Sequence, residues 1–230
     1  TAEPSSPPDD TQPASDFLTP GESHSLYYRI TWRLIPLLFI CYIIAYIDRI
    51  NIGFAKLQLQ GVLSVDDRVF GSVYGLGAGL FFIGYFLFEV PSNLILQRVG
   101  ARIWIARIMI VWGIVSSSMM FIKSTTGFYL VRFLLGIAEA GFYPGMILYL
   151  TYWFPDKQRA HTVALFATGT VVAGIVGSPL SGAILELNGS GGLEGWQWLF
   201  LLEGIPAVVL GLVVIFVLPD GPRKARWLSS

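Results

Sequence analysis

Apolar residues gather into six stretches of about 20 residues, separated by short segments that hold most of the charges and the Gly and Pro clusters. A hydrocarbon core of about 30 Å is crossed by about 20 residues of helix rising 1.5 Å each. The pattern therefore predicts transmembrane helices near residues 33–54, 70–91, 103–122, 127–150, 162–185 and 197–218. The segments 56–68, 97–102, 123–126, 154–161 and 186–196 read as loops. The expected fold class is an all-α membrane protein, a six-helix bundle over residues 29–219. Residues 1–28 form an acidic tail expected to be disordered, because Pro, Ser, Thr and Asp dominate it and offer no core. The tail lacks the basic start of a signal peptide, so the first apolar segment is expected to stay in the membrane.

Composition agrees with this picture and narrows it. With 54% hydrophobic residues, 13% charged residues and a mean hydropathy of +0.64, the chain is too apolar for a soluble domain of its length. A net charge of +0 without a basic patch argues against a nucleic-acid partner. The single cysteine, Cys41, sits in an apolar run, and no Cys/His ligand spacing occurs, so neither a metal nor another cofactor is expected. HExxH, GxxxxGK and GxSxG motifs are absent, which speaks against an enzyme. With both ends on the cytoplasmic side, ten Lys and Arg residues, among them Arg29, Arg98, Lys157, Arg223, Lys224 and Arg226, lie inside against Lys56, Arg68 and Lys123 outside. That asymmetry sets the expected orientation. Trp32, Trp104, Trp153, Trp196 and Trp198 fall near the expected interfaces and read as anchors.

Two spans carry small-residue stripes. Gly71, Gly75 and Gly79 recur every four residues in the second span, and Gly174, Gly177 and Gly182 mark the fifth. Such stripes let helices approach closely, either as static packing or as a sliding surface.

Four ionisable groups interrupt the apolar runs. In the fourth span Arg132, Gly136, Glu139 and Tyr143 follow at helical steps on one face, and the first span holds Asp48, Arg49 and Asn51. Each charge costs about 2.5–3.5 kcal/mol to insert and is expected to face a bundle interior. At 1.5 Å per residue Asp48, Arg49 and Arg132 share one depth, about 8 Å below the outer boundary, and Glu139 lies about 10 Å deeper. Gly136 is expected to leave open space between Arg132 and Glu139. Two cations suit an anion, and two carboxylates can gain and lose protons. Burial disfavours an ionised carboxylate, whereas a nearby guanidinium favours it, so an anion on the arginine promotes protonation of the acid. Asp48 and Glu139 are the candidate proton-coupling groups, Arg49 and Arg132 the candidate substrate ligands, and Asn51 and Tyr143 candidate cavity-lining residues. Glu89 and Glu203 read as structural partners, and His161 as solvated.

The pieces AYIDRINIGFA at 45–55, FEVPSNLILQRVGAR at 88–102, RFLLGIAEAGFYPG at 132–145, YWFPDKQRA at 152–160 and WQWLFLLEGIPA at 196–207 carry a family likeness. Together they resemble the N-terminal six-helix half of a major facilitator superfamily transporter, in the anion:cation symporter family that includes tartrate, phthalate and sugar-acid permeases. The resemblance implies a 6+6 fold, proton-coupled symport of a small organic carboxylate, and a cavity lined by Asp48, Arg49, Arg132 and Glu139. It also implies a multi-pass protein of the cell's inner membrane, surrounded by lipid, whose C-terminal six-helix half lies outside this chain. Residues 220–230 resemble the start of the central cytoplasmic linker. In the loop after the second span, Asn93, Gln97 and Ala101 depart from the superfamily's G-x-x-x-D-R-x-G-R pattern, while Arg98 and Gly100 keep it. A non-transporting membrane partner or sensor, and a sodium-coupled or uncoupled carrier of the same fold, are the alternative expectations.

Overall fold

A computed structural model describes residues 20–63, 65–222 and 225, apart from the side chains of residues 20–24, 156 and 157. The remainder of the expected tail, and the basic residues Arg223, Lys224 and Arg226, lie outside the described residues. The helices are α1 (Pro20–Leu63), α2 (Asp67–Val99), α3 (Ala101–Ser118), α4 (Thr125–Glu139), α5 (Phe142–Thr151), α6 (Asp156–Leu185) and α7 (Gly195–Val217), with no strand among the described residues. Six segments are long and apolar enough to cross a bilayer, with α4 and α5 sharing the fourth.

Several helices run past the ends that hydropathy suggests. α1 begins at Pro20 and continues to Leu63, through Lys56. Ile52, Ala55, Leu59 and Leu63 repeat at three- and four-residue steps and pack with Phe70 and Trp196. A buried stripe therefore keeps the chain helical where a charge count breaks it. α2 starts on Asp66, whose side chain accepts from the Arg68 amide at 2.8 Å. It ends at Gly100, where φ is 98°.

The fourth span is two helices. Gly141 adopts φ 83° between them. Pro144 lacks the amide hydrogen that the Ala140 carbonyl would accept, and its ring excludes that carbonyl from a helical position. Ala140 answers with ψ 130°. The break falls directly after Glu139.

Apart from Gly177, close packing is made by other glycines than the stripes singled out above. α3 lies along α7, where a Cβ on Gly113 would come within 2.6 Å of the Gly204 carbonyl oxygen and one on Gly204 within 2.8 Å of the Gly113 oxygen. α2 lies along α4, where a Cβ on Gly84 would meet the Phe133 carbonyl oxygen at 2.6 Å and one on Gly136 would fall on the Phe81 carbonyl oxygen. Gly136 thus leaves no open space: the α2 backbone fills it. A Cβ on Gly71, Gly75, Gly79, Gly174 or Gly182 would meet no heavy atom of another element within 4 Å, while one on Gly177 would touch Ile47 and Ile50 of α1. A repeat of four marks one face of a helix but not which face meets a neighbour.

Two of the five tryptophans depart from an anchoring role. Trp196 and Trp153 are buried in the two core clusters, whereas Trp32 is exposed, as an interfacial anchor is.

Candidate functional site

The face Tyr42, Ala45, Tyr46 and Arg49 of α1 follows at helical steps and forms one wall of a cleft of about 150 Å³. Tyr85 of α2, Glu139 at the end of α4, and Phe142 and Tyr143 at the start of α5 complete its lining. Charge in this cleft is concentrated in one ion pair, from Arg49 Nη2 to Glu139 Oε1. Glu139 is buried, while the Arg49 side chain keeps 37% of its surface accessible. The guanidinium carbon lies 5.6 Å from the Tyr85 ring centre and 5.8 Å from that of Phe81.

Depth alone separates Arg49 from Glu139; the structure joins them. Axial rise places the backbone only, and an extended arginine side chain spans more than a helical turn. Glu139 and Tyr143 do share the cleft, although the break at Gly141 means that no single helix face carries both.

Arg132, Asp48 and Asn51 stand behind this lining, each buried. The Arg132 Nε–H points to the Gly77 carbonyl at a long 3.5 Å, and its guanidinium carbon sits 4.8 Å from the centre of the Phe81 ring. The Phe81 ring therefore touches both guanidinium groups. No carboxylate of the described residues forms an ion pair with Arg132.

Asp48 is held by three donors. Trp112 Nε1–H donates to Oδ2 at 2.6 Å, Asn51 Nδ2–H donates to Oδ1 at 3.1 Å, and the Ser116 hydroxyl also donates to Oδ1. Trp112 and Ser116 are four residues apart on α3, so one helix face supplies both. Hydrogen bonds to a charged group are worth about 1.5–3 kcal/mol. Replacing Trp112 by Phe is expected to lower stability by about that amount, seen as a lower thermal midpoint in detergent.

Sequence reasoning missed the cradle of Trp112 and Ser116, and the aromatic lining of Tyr42, Tyr46, Tyr85 and Phe142. The signal for Tyr42 and Tyr46 was present, since they precede Arg49 by seven and three residues. Trp112 carried only the weaker hint of an N–H in mid-span.

Six segments able to cross a membrane, three of which line a charged, aromatic cleft, define a multi-pass membrane protein with a polar cleft among its spans. Residues 38–230 match the family described as Major Facilitator Superfamily, and the chain belongs to it. It is 57% identical over 202 residues to a "Putative tartrate transporter" of Agrobacterium vitis, covering 88% of this chain and 44% of that protein. It is 48% identical over 200 residues to a "Quinolone resistance transporter" of Acinetobacter baumannii, covering 87% of this chain and 45% of the relative. The chain thus spans a little under half the length of these relatives. A solved bacterial homologue of the human lysosomal transporter Spinster, inward-facing and occupied, superposes with a TM-score of 0.74 at 24% identity, over 82% of this chain and 44% of that one. That likeness shows the fold: this bundle is the N-terminal half of a twelve-helix architecture.

Proposed function

We propose that the chain is the N-terminal half of a secondary transporter that carries a small organic carboxylate together with protons across the inner membrane, both ends of the chain being cytoplasmic. The observation that carries this reading is the Arg49–Glu139 pair in the cleft. Arg49 is the accessible member, and its cation is the group an incoming carboxylate would seek. An anion that takes Arg49 leaves Glu139 buried without its counter-charge. A buried carboxylate in that position accepts a proton. Solute and proton then favour each other's binding, and the coupling is reciprocal. Arg132, buried and lacking a carboxylate partner, adds positive potential behind Phe81, and Asp48 is the second carboxylate of the site. Membrane lipid surrounds the bundle, and a C-terminal six-helix half supplies the facing wall of the cleft.

The name of the Agrobacterium relative supports a tartrate-like or sugar-acid solute. The name of the Acinetobacter relative favours a second reading, a carrier of bulkier compounds on the same fold. Uptake of labelled tartrate, a sugar acid or an aromatic acid into proteoliposomes of the complete protein, with and without an inward proton gradient, tests the first. No gradient-dependent uptake of any of them overturns it, and dependence on sodium in place of protons reassigns the coupling ion. Replacing Arg49 by Ala is expected to raise KM at least about tenfold, equivalent to about 1.4 kcal/mol. An unchanged KM in that uptake assay would remove Arg49 from solute binding.

A further inference from the structure

Glu203 is a third acid within the bundle and takes no part in the cleft. It sits in α7 with 4% of its surface exposed, beside Gly204, where α7 crosses α3. The Ser181 hydroxyl of α6 donates to Oε1 at 2.7 Å, and Oε2 is buried without a hydrogen-bond partner. Among the described residues no cation forms an ion pair with it. α7 packs against α1, α3, α6 and the short turn Met119–Phe121. From these elements the Ser181 hydroxyl of α6 is the group within hydrogen-bond distance, and Asn51 and Asp48 of α1 bear on Glu203 from farther away, so the charge facing it is another carboxylate.

The two acids are served unequally. Asp48 receives three donors, which suits an ionised carboxylate, a group that can only accept. Glu203 receives one, on a single oxygen, and its other oxygen has no donor. That is the pattern of a carboxylic acid whose carbonyl oxygen takes the serine hydroxyl and whose second oxygen carries hydrogen. A like charge nearby disfavours ionisation of a buried carboxyl. The charge count across the bundle points the same way: Arg49 and Arg132 face Asp48, Glu139 and Glu203, one acid more than there are cations.

We propose that Glu203 is held as a neutral carboxylic acid in the bundle, with Asp48 the acid that is free to ionise. Glu203 is then a positioning residue: by staying neutral it spares Asp48 a like charge and leaves that acid free to ionise in its cradle. The assignment goes beyond the transport reading and does not depend on which solute is carried.

Infrared spectroscopy of the protein in proteoliposomes at neutral pH, without solute, tests it. A carbonyl stretch of a protonated carboxyl is expected, absent from the Glu203→Gln variant. In Ser181→Ala, which keeps the acid and removes the hydroxyl bonded to its carbonyl oxygen, the same band is expected at higher frequency. If Glu203→Gln removes only carboxylate absorption, or Ser181→Ala leaves the carbonyl region unmoved, the assignment is overturned. Should Glu203→Gln fail to fold, the Ser181→Ala spectrum alone decides. Absence of solute uptake by the unmodified protein would sink the transport reading and leave this result standing, since the band is read at equilibrium.

Discussion

Replacing Glu139 by Gln is expected to abolish uphill, proton-driven uptake while leaving solute exchange in place. The variant keeps the size and much of the hydrogen bonding of the side chain but fixes it neutral. Arg49 then loses its ion-pair partner on the chain, and position 139 is neutral, as in the solute-bound state inferred above. A solute anion still finds its cation, so counterflow of labelled against unlabelled solute persists. Concentrative uptake needs a group that alternates between charged and neutral, and that alternation is gone. Proteoliposomes with an imposed proton gradient, compared with solute-loaded proteoliposomes without one, separate the two activities. An unaltered uphill rate would remove Glu139 from the coupling role.

The second large effect concerns stability. A methyl group on Gly136 would fall on the Phe81 carbonyl oxygen, so Gly136→Ala must push α4 away from α2. Backbone cannot step aside as a flexible side chain can, and overpacking of this kind costs about 1–3 kcal/mol. Because Phe81 touches both guanidinium groups, the displacement also disturbs the cleft. Gly79→Ala, by contrast, meets no atom of another element within 4 Å in this chain. A helical Gly→Ala change in open space gains about 0.5–1 kcal/mol. Thermal unfolding in detergent should show a lower midpoint for Gly136→Ala and no lowering for Gly79→Ala. Equal losses would show that the exposed face of α2 is covered.

How much was legible before the structure differs by physical signal. Bilayer thickness makes the membrane spans readable, because a run of about 20 apolar residues has few other uses. Their ends were not, since Leu59 and Leu63 continue a buried stripe beyond the charge at Lys56. The ionisable residues announced themselves by cost, and Arg49 and Glu139 do meet. Their pairing was hidden because axial depth ignores the reach of a side chain. Gly141 and Pro144 together signalled a helix break that the apolar run overshadowed. Glycine periodicity named a face of α2 without its neighbour, so Gly77 and Gly84 make the contacts that Gly71, Gly75 and Gly79 were expected to make. Glu203 reads as a structural partner from its place early in the last span, yet the orphan oxygen that gives it an assignment is visible only in three dimensions.

The interruption after Glu139 has a mechanical side. In an unbroken helix, turning one end against the other stretches the ladder of amide bonds between them. Here the ladder is already open: Pro144 offers no amide hydrogen, and Gly141 turns with positive φ. α4 and α5 can therefore change their mutual angle without forfeiting a backbone hydrogen bond at that point. The carboxylate whose charge would change in a transport cycle sits at a joint, where gain or loss of one proton works against the least elastic resistance in the span.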